Sequence, residues 1–195
     1  MPVDSDREIV LRCQKHPSRG LDGAYRELYE LYRDRVYNVC YRTTGNAADA
    51  LDASQETFGI LFRKESAFRF ESKFSSWVYR IAVNASIDLK RRSAARPAAS
   101  LDLLRSPSGG GSPIDFKDEG IEGPAAAAAR LELQAEIQEA ITRLSPKMRA
   151  ITVLRYNESL SYEEIAESLG TSLGTVKSRL SRAHAALDRE LTPVL

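Results

Sequence analysis

Residues 161–187 read SYEEIAESLGTSLGTVKSRLSRAHAAL, a stretch with the residue spacing of a helix-turn-helix. Ala166 is small enough to let two helices approach each other, and Gly170 supplies the turn between them. The apolar positions that would form the core shared by the two helices are Ile165, Leu169, Val176 and Leu180. Any helical hairpin needs a small residue and a turn glycine, but the number of agreeing positions favours the helix-turn-helix.

The outer face of the second predicted helix is polar and basic. The polar residues on or near its start are Thr175, Lys177, Ser178, Arg179, Ser181 and Arg182. Helix-turn-helix proteins place this part of the second helix in the major groove, where Arg and Lys bind phosphates or guanine edges. The acids Glu158, Glu163, Glu164 and Glu167 are assigned to the preceding helix instead, so only the second helix is suited to DNA.

The N-terminal part of the chain also has the apolar spacing of helices. Four helices are predicted there: a short one at about 6–14, a long amphipathic one through 28–40, one from Asn46 to about Lys64, and one from about 72 to 92. Asn46 follows Gly45 and can cap the free amides of the third of these helices. Nothing in this part of the sequence requires a strand.

The C-terminal part predicts four more helices after a change of composition. They begin at Pro124, at Ser145-Pro146, where Ser145 is expected to cap the helix, at the Ser161–Glu164 capping box, and after Gly170. The preceding residues 93–123 are rich in Ala, Pro, Ser, Gly and acids, a composition that buries too little apolar surface to fold alone. We therefore predict an all-α protein of two small helical domains, 1–95 and 124–195, joined by a flexible acidic linker, 96–123.

The net charge is only +1, but the charge is segregated along the 195 residues. Residues 63–96 carry nine Lys or Arg against three acids, whereas residues 97–140 carry three against eight. The first stretch suits phosphates and the second repels them. Each run, taken alone, is equally typical of a solvated helix face.

Aromatic and cationic residues interleave in the basic stretch, where residues 68–84 read FRFESKFSSWVYRIAVN. Single-stranded bases are held by this combination, because any base can stack on an aromatic face while cations follow the backbone. Phe74, Trp77 and Ile81 are also spaced as a core stripe, so we expect Trp77 to pack rather than to stack on DNA. Four residues are harder to explain as core: Arg69, Lys73, Arg80 and Asn84.

The sequence gives no sign of catalysis or of a cofactor. It has no phosphate-binding loop and no metal-ligand spacing around Cys13 or Cys40, and His16 and His184 have no evident catalytic partners. No apolar run approaches the roughly 18 residues of a membrane span, and the first residues lack a secretory signal. We therefore expect a cytoplasmic protein without a metal, a cofactor or a membrane-inserted segment.

Residues 68–92 and 161–187 resemble, in the same order, two regions of the extracytoplasmic-function sigma factors of the sigma-70 family of bacterial RNA polymerase. In that family the first region melts and reads the −10 promoter element, where a loop captures a base flipped from the non-template strand, and the second reads the −35 element as duplex. The resemblance implies −10 contacts by Phe68, Arg69, Lys73, Phe74, Arg80 and Asn84. The −35 contacts that it implies are Thr175, Lys177, Ser178, Arg179, Ser181 and Arg182.

A third segment, residues 49–58, reads DALDASQETF and is similar to the family's acidic helix that docks on the clamp of the polymerase largest subunit. Leu51 and Ala53 depart from the family pattern. The core polymerase contacts that the resemblance implies are Asp49, Asp52, Gln55, Glu56 and Phe58. Without the resemblance, this segment is simply an amphipathic helix with a polar face.

The resemblance implies a transcription initiation factor that is not an enzyme. Its partners would be promoter DNA and core RNA polymerase, at the clamp of the largest subunit and the flap of the second-largest subunit. Many relatives are held inactive by an anti-sigma protein, so the resemblance allows such a partner here. Two other hypotheses stay open: a helix-turn-helix regulator that acts without core polymerase, and a polymerase-interaction protein without promoter selectivity.

Overall fold

A computed structural model describes residues 3–15, 23–95 and 124–192, and these residues form eight α-helices and no β-strand. The helices are α1 (Val3–Lys15), α2 (Ala24–Thr44), α3 (Ala47–Lys64), α4 (Phe74–Ala95), α5 (Pro124–Arg143), α6 (Pro146–Tyr156), α7 (Tyr162–Leu169) and α8 (Leu173–Leu191). The predicted all-α class is confirmed. The predicted linker, 96–123, lies outside the described residues.

The boundary between α2 and α3 is set by two adjacent residues. Gly45 ends α2 in the left-handed region, at φ 84°, and its amide donates to the Tyr41 carbonyl. Asn46 then returns to extended backbone, and its side chain accepts a hydrogen bond of 2.8 Å from the Asp49 amide. The glycine is favoured because an L side chain is strained at this φ, so the predicted break and cap at this position are both confirmed.

Helix α2 is the centre of the N-terminal half, by which we mean α1 to α4. Its side chains Leu28, Tyr32, Val36 and Val39 are completely buried, and α1, α3 and α4 pack around them. The Tyr32 hydroxyl reaches α1, where it donates 2.6 Å to the Asp6 carboxylate. Burial of this apolar stripe is the main force that assembles the half.

The helix-turn-helix is formed by α7 and α8 in the C-terminal half, which comprises α5 to α8. Ser161 and Glu164 form the predicted capping box, and Gly170 ends α7 at φ 57°. Ser172 caps α8 by accepting from the Thr175 amide. In the predicted shared core, Ile165, Val176 and Leu180 are buried and Leu169 is half-buried.

One predicted cap is wrong. Ser145 precedes α6 but makes no side-chain hydrogen bond to the helix. Pro146 occupies the first turn, where its fixed φ and missing amide already suit a helix start.

The two halves pack against each other. Helices α5 and α6 contact the carboxyl-terminal end of α2, and α7 contacts α4. The buried apolar side chains of both halves belong to one continuous cluster. This packing was not predicted from the sequence.

The serines before α6 and α7 form a matched pair for testing the capping box. We expect Ser161→Ala to lower the free energy of unfolding by about 1 kcal/mol, because it removes a side-chain acceptor from the first turn of α7. Ser145→Ala should change it little, since that side chain caps nothing. Chemical denaturation of both variants measures the difference, and equal losses would contradict the assignment.

Candidate nucleic-acid interface

The exposed side of α8 carries the six residues predicted to bind duplex DNA. Lys177, Ser178, Ser181 and Arg182 are exposed, and Thr175 and Arg179 are half-exposed. The opposite side of α8 is buried through Val176, Leu180 and Ala183. All six predicted residues therefore lie outside the buried stripe of α8, with Lys177 and Arg179 on opposite flanks of the exposed side.

The start of α8 is held by its own polar side chains. The Ser172 side chain accepts 3.2 Å from the Thr175 amide and lies 2.8 Å from the Thr175 hydroxyl. The Arg182 guanidinium folds back to the Ser178 carbonyl at 3.2 Å, which leaves its remaining donors directed away from the helix. Lys177 and Arg179 extend the positive charge to both flanks of the exposed side.

A groove between α3 and α4 contains two of the residues predicted to bind −10 DNA. Arg80 and Asn84 are exposed one turn apart on α4, and they line this groove of about 340 Å³ together with Trp77. Lys64 and Arg92 add two cations to its walls, and Glu56 and Asp88 add two acids. We call it the α4 groove. Lys64 and Arg92 belong to the basic stretch 63–96 but were not among the residues predicted to bind DNA.

The predicted aromatic contacts Phe68 and Phe74 are buried instead, at 8% and 5% exposure. Their rings lie 5.1 Å apart, and each lies within 6 Å of the Trp77 ring. The expected packing of Trp77 is confirmed, although its side chain is only half-buried. The three rings thus form a cluster beneath the loop that precedes α4.

Phe70 occupies an unusual position in that loop. Its φ is 57°, which is a strained conformation for a bulky residue. The ring packs against Phe68 and lies under the Arg7 guanidinium at 4.8 Å. The loop is therefore fixed by aromatic contacts, and Arg69, at its tip, is exposed. No pattern in the sequence indicates the positive φ of Phe70.

Lys73 is engaged with the other half of the molecule. Its ammonium lies 2.7 Å from the Glu164 carboxylate of α7. The hydrogen bond from Lys73, together with one from the Ser161 amide, lowers the pKa of the Glu164 carboxyl. Lys73 is thus separated in its contacts from Arg80 and Asn84, which face the α4 groove.

Helix α3 presents three of the five residues predicted to bind polymerase. Asp52, Gln55 and Glu56 are exposed beside Leu51, which is 53% exposed. The other two predicted residues have structural contacts. Asp49 pairs with Lys90 at 3.0 Å, and Phe58 is buried against Tyr29.

Two further findings concern the described residues as a whole. None of their helices is long and apolar enough to cross a membrane. Cys13 and Cys40 are free and buried, as expected of packing residues, and burial raises the pKa of each thiol to about 11.

Two family models match this chain. Residues 28–96 match sigma-70 region 2, and residues 134–187 match sigma-70 region 4. The first match covers most of α2 to α4, with the α4 groove, and the second covers the helix-turn-helix.

Two relatives that match this chain over almost their whole length are named as sigma factors. The chain is 35% identical over 184 residues to the ECF RNA polymerase sigma factor SigW of Bacillus subtilis, covering 94% of this chain and 97% of that one. It is 32% identical over 192 residues to the RNA polymerase sigma-H factor of Pseudomonas aeruginosa, covering 98% and 96%.

Solved structures share the fold. CnrH, in its complex with the cytosolic domain of CnrY, has a TM-score of 0.66 at 24% identity, over 97% of this chain and 99% of that one. The sigma factor RpoE from Bartonella quintana, in complex with the anti-sigma factor NepR, has a TM-score of 0.61 at 22% identity, over 86% and 96%. With the sequence matches, these findings establish that the chain belongs to the ECF RNA polymerase sigma factors of the sigma-70 family, which act in transcription initiation and are not enzymes.

Proposed function

We propose that this sigma factor binds core RNA polymerase and directs initiation at promoters that it contacts with two separate surfaces. The C-terminal domain, 124–195, reads the −35 element as duplex through α8. The N-terminal domain, 1–95, binds the polymerase and reads the −10 element as a melted single strand. The observation that carries this proposal is the presence of two exposed surfaces that carry cations, one on each half: the outer side of α8, and the α4 groove with Lys64, Arg80 and Arg92.

The outer side of α8 has the form that duplex recognition requires. The major groove of B-form DNA is about 12 Å wide and admits one α-helix. Lys177, Arg179 and Arg182 supply donors for phosphates and guanine edges, and the buried side of α8 is fixed on α6 and α7. Because the Ser172 cap holds the first turn, the reading residues need little ordering on binding.

The α4 groove supports binding of a melted strand. Arg80, Lys64 and Arg92 can follow a phosphate backbone, and the Asn84 amide can pair with the edge of an unstacked base. The half-buried Trp77 provides an apolar wall. Unstacked bases expose both faces and edges, so a groove of this kind discriminates against intact duplex.

The loop before α4 would serve the same strand in a different way. Since Phe68 and Phe74 are buried, we propose that they hold the shape of the loop rather than stack on a base. Arg69 at the loop tip and Lys73 at its end would contact the strand, the latter once it leaves Glu164.

Polymerase binding is assigned to the exposed face of α3. Asp52, Gln55 and Glu56 offer acceptors to a basic clamp helix of the largest subunit, and Leu51 adds apolar area beside them. Asp49 and Phe58 support that face from within. We place the C-terminal domain at the flap of the second-largest subunit, and the complex in the cytoplasm, where bacterial polymerase and promoters are found. An anti-sigma protein is proposed as a further partner, by comparison with the complex of RpoE and NepR.

Arg179 and Arg189 are a matched pair of arginines on α8 for testing −35 recognition. Arg179→Ala should lower initiation from a −35-dependent promoter by roughly ten-fold, because one donor pair to a base edge is lost. Arg189 lies in the last turn of α8, away from the residues proposed to contact DNA, so Arg189→Ala should have little effect on initiation. Run-off transcription with core polymerase measures both, and equal effects would contradict the assignment.

Asn84 and Ser93, both uncharged residues of α4, test reading of the melted −10 element. Asn84→Ala should weaken holoenzyme binding to a single-stranded non-template −10 oligonucleotide by roughly ten-fold, because an amide that pairs with a base edge is removed. The control is Ser93→Ala, an exposed residue that does not line the α4 groove. Fluorescence anisotropy gives both affinities. Undiminished binding by Asn84→Ala would remove Asn84 from the −10 surface.

Polymerase docking is tested with two pairs of acids that have the same spacing. The double variant Asp52→Ala with Glu56→Ala should weaken binding to core polymerase by about ten-fold or more, since two acceptors for the clamp are lost. Glu132→Ala with Glu136→Ala removes two exposed acids one turn apart on α5 and should bind normally. Titration of labelled core polymerase distinguishes them, and equal affinities would argue against the α3 face.

A further inference from the structure

Tyr156 and His184 form an exposed pair where α6 meets α8. Tyr156 is the last residue of α6, and His184 lies just beyond the middle of α8. The Tyr156 hydroxyl and the Nε2 atom of His184 share a hydrogen bond, and the two ring centroids lie 5.6 Å apart. The pair therefore bridges two helices at the surface of the C-terminal half.

The Tyr156 ring lies largely in water. Tyr156 is 55% exposed, whereas Leu154, two residues earlier on α6, is completely buried. His184 is exposed as well. Tyrosine is enriched at interfaces because its ring is apolar while its hydroxyl can bind a partner. The exposure of this pair is thus typical of a binding surface rather than of a core contact.

His184 lies on the flank of α8 that carries Lys177. The two residues are seven apart, or almost two helical turns, so they lie on nearly the same side of the helix. Ser181, one turn before His184, belongs to the same row. His184 therefore continues a row of two residues that are proposed to contact −35 DNA. The row ends one turn later at Asp188, an exposed acid that would repel a phosphate.

The position of His184 along α8 corresponds to the edge of the major groove. In helix-turn-helix complexes the N-terminal part of the second helix contacts the base edges. His184 lies about 10 Å further along the helix axis than Lys177, at about 1.5 Å per residue. Since the major groove is about 12 Å wide, a residue at that distance meets the sugar-phosphate backbone that borders it.

The pair keeps one hydrogen-bond donor free in either tautomer of the neutral imidazole. When Nε2 of His184 accepts from the Tyr156 hydroxyl, the proton on Nδ1 is free to be donated. When Nε2 donates instead, the hydroxyl proton is free. Within residues 3–15, 23–95 and 124–192, neither side chain forms another hydrogen bond. The free donor is therefore available to a phosphate oxygen.

We propose that Tyr156 and His184 together hold a backbone phosphate of the −35 duplex, beside the residues that read its bases. This inference rests on the proposed function, since it extends the surface of α8 assigned to −35 DNA. The hydrogen bond between the two side chains orients the donor before DNA binds, so little rotamer freedom is lost on binding. Because that bond also joins α6 to α8, the phosphate contact fixes the position of α8 on the duplex.

A phosphate contact carries no sequence information by itself. The pair should therefore contribute equally to binding of promoters that differ in their −35 sequence. Arg179, which is proposed to contact a base edge, should instead discriminate between them.

Methylphosphonate substitution tests the phosphate contact directly. Each phosphate around the −35 element is replaced in turn by an uncharged methylphosphonate, and fluorescence anisotropy measures holoenzyme binding to the promoter duplex. His184→Ala should weaken binding to the unmodified duplex by roughly ten-fold, because a hydrogen bond to a charged group is lost. At the phosphate that the pair holds, the methylphosphonate should weaken wild-type binding to the same extent, and His184→Ala should cause no further loss.

Tyr156→Phe tests whether the two side chains act together. It keeps the ring and removes the hydroxyl that orients the imidazole, so binding should weaken by about three-fold. The double variant with His184→Ala should bind no worse than His184→Ala alone, because the two side chains act as a unit. Tyr37→Phe makes the same change on a half-buried ring of α2 and should bind normally.

The same series separates a phosphate contact from a structural role. Loss of packing would weaken binding to every modified duplex equally, and the absence of any phosphate at which the effect of His184→Ala disappears would overturn the proposal. Equal binding of the unmodified duplex by wild type and His184→Ala would also overturn it.

Two further measurements distinguish the sources of failure. Titration of core polymerase should give equal affinities for wild type and His184→Ala, and weaker binding by the variant would assign the pair to polymerase and overturn the phosphate contact. Failure of the wild-type holoenzyme to prefer the promoter duplex over one with a scrambled −35 element would instead overturn the proposed function.

Discussion

Burial of α2 is the interaction on which the rest of the structure depends. Its buried stripe, formed by Leu28, Tyr32, Val36 and Val39, is completely covered by the helices around it. Helices α5 and α6 pack on its carboxyl-terminal end, so the same helix also positions the C-terminal half. The α4 groove, the exposed face of α3 and the contact between the two halves are all placed relative to this one buried helix. A cavity in the stripe would disturb every one of them, because the core is close-packed and continuous.

Local signals in the sequence were sufficient to predict the helices. Gly45 and Gly170 end helices, and Asn46 caps one, through hydrogen bonds to backbone groups only a few residues away. Their effect can therefore be predicted from the local sequence alone. The packing of the two halves could not be predicted, because contacts such as Arg149 to Thr43 join residues far apart in sequence and follow no period.

The candidate site was predictable where chemistry and exposure agree, as on α8. The roles of Phe68 and Phe74 were harder to predict, because an aromatic ring can either pack in a hydrophobic core or stack on a base. Sequence spacing does not distinguish the two environments. The cations Lys64 and Arg92 join the α4 groove, the surface proposed to bind −10 DNA, only when α3 and α4 pack side by side. With a net charge of only +1, the free chain has little general attraction for DNA, which favours recognition in the polymerase complex.

Run-off transcription from a promoter library, with core bacterial polymerase and the wild-type chain, tests the central claim most directly. We expect a defined set of promoters to give discrete start sites only when the chain is present, and we expect these promoters to share sequence at both −10 and −35. Tight binding to core polymerase without any specific start would contradict it and would indicate a polymerase-interaction protein. Sequence-specific binding to duplex DNA without any affinity for the polymerase would also contradict it.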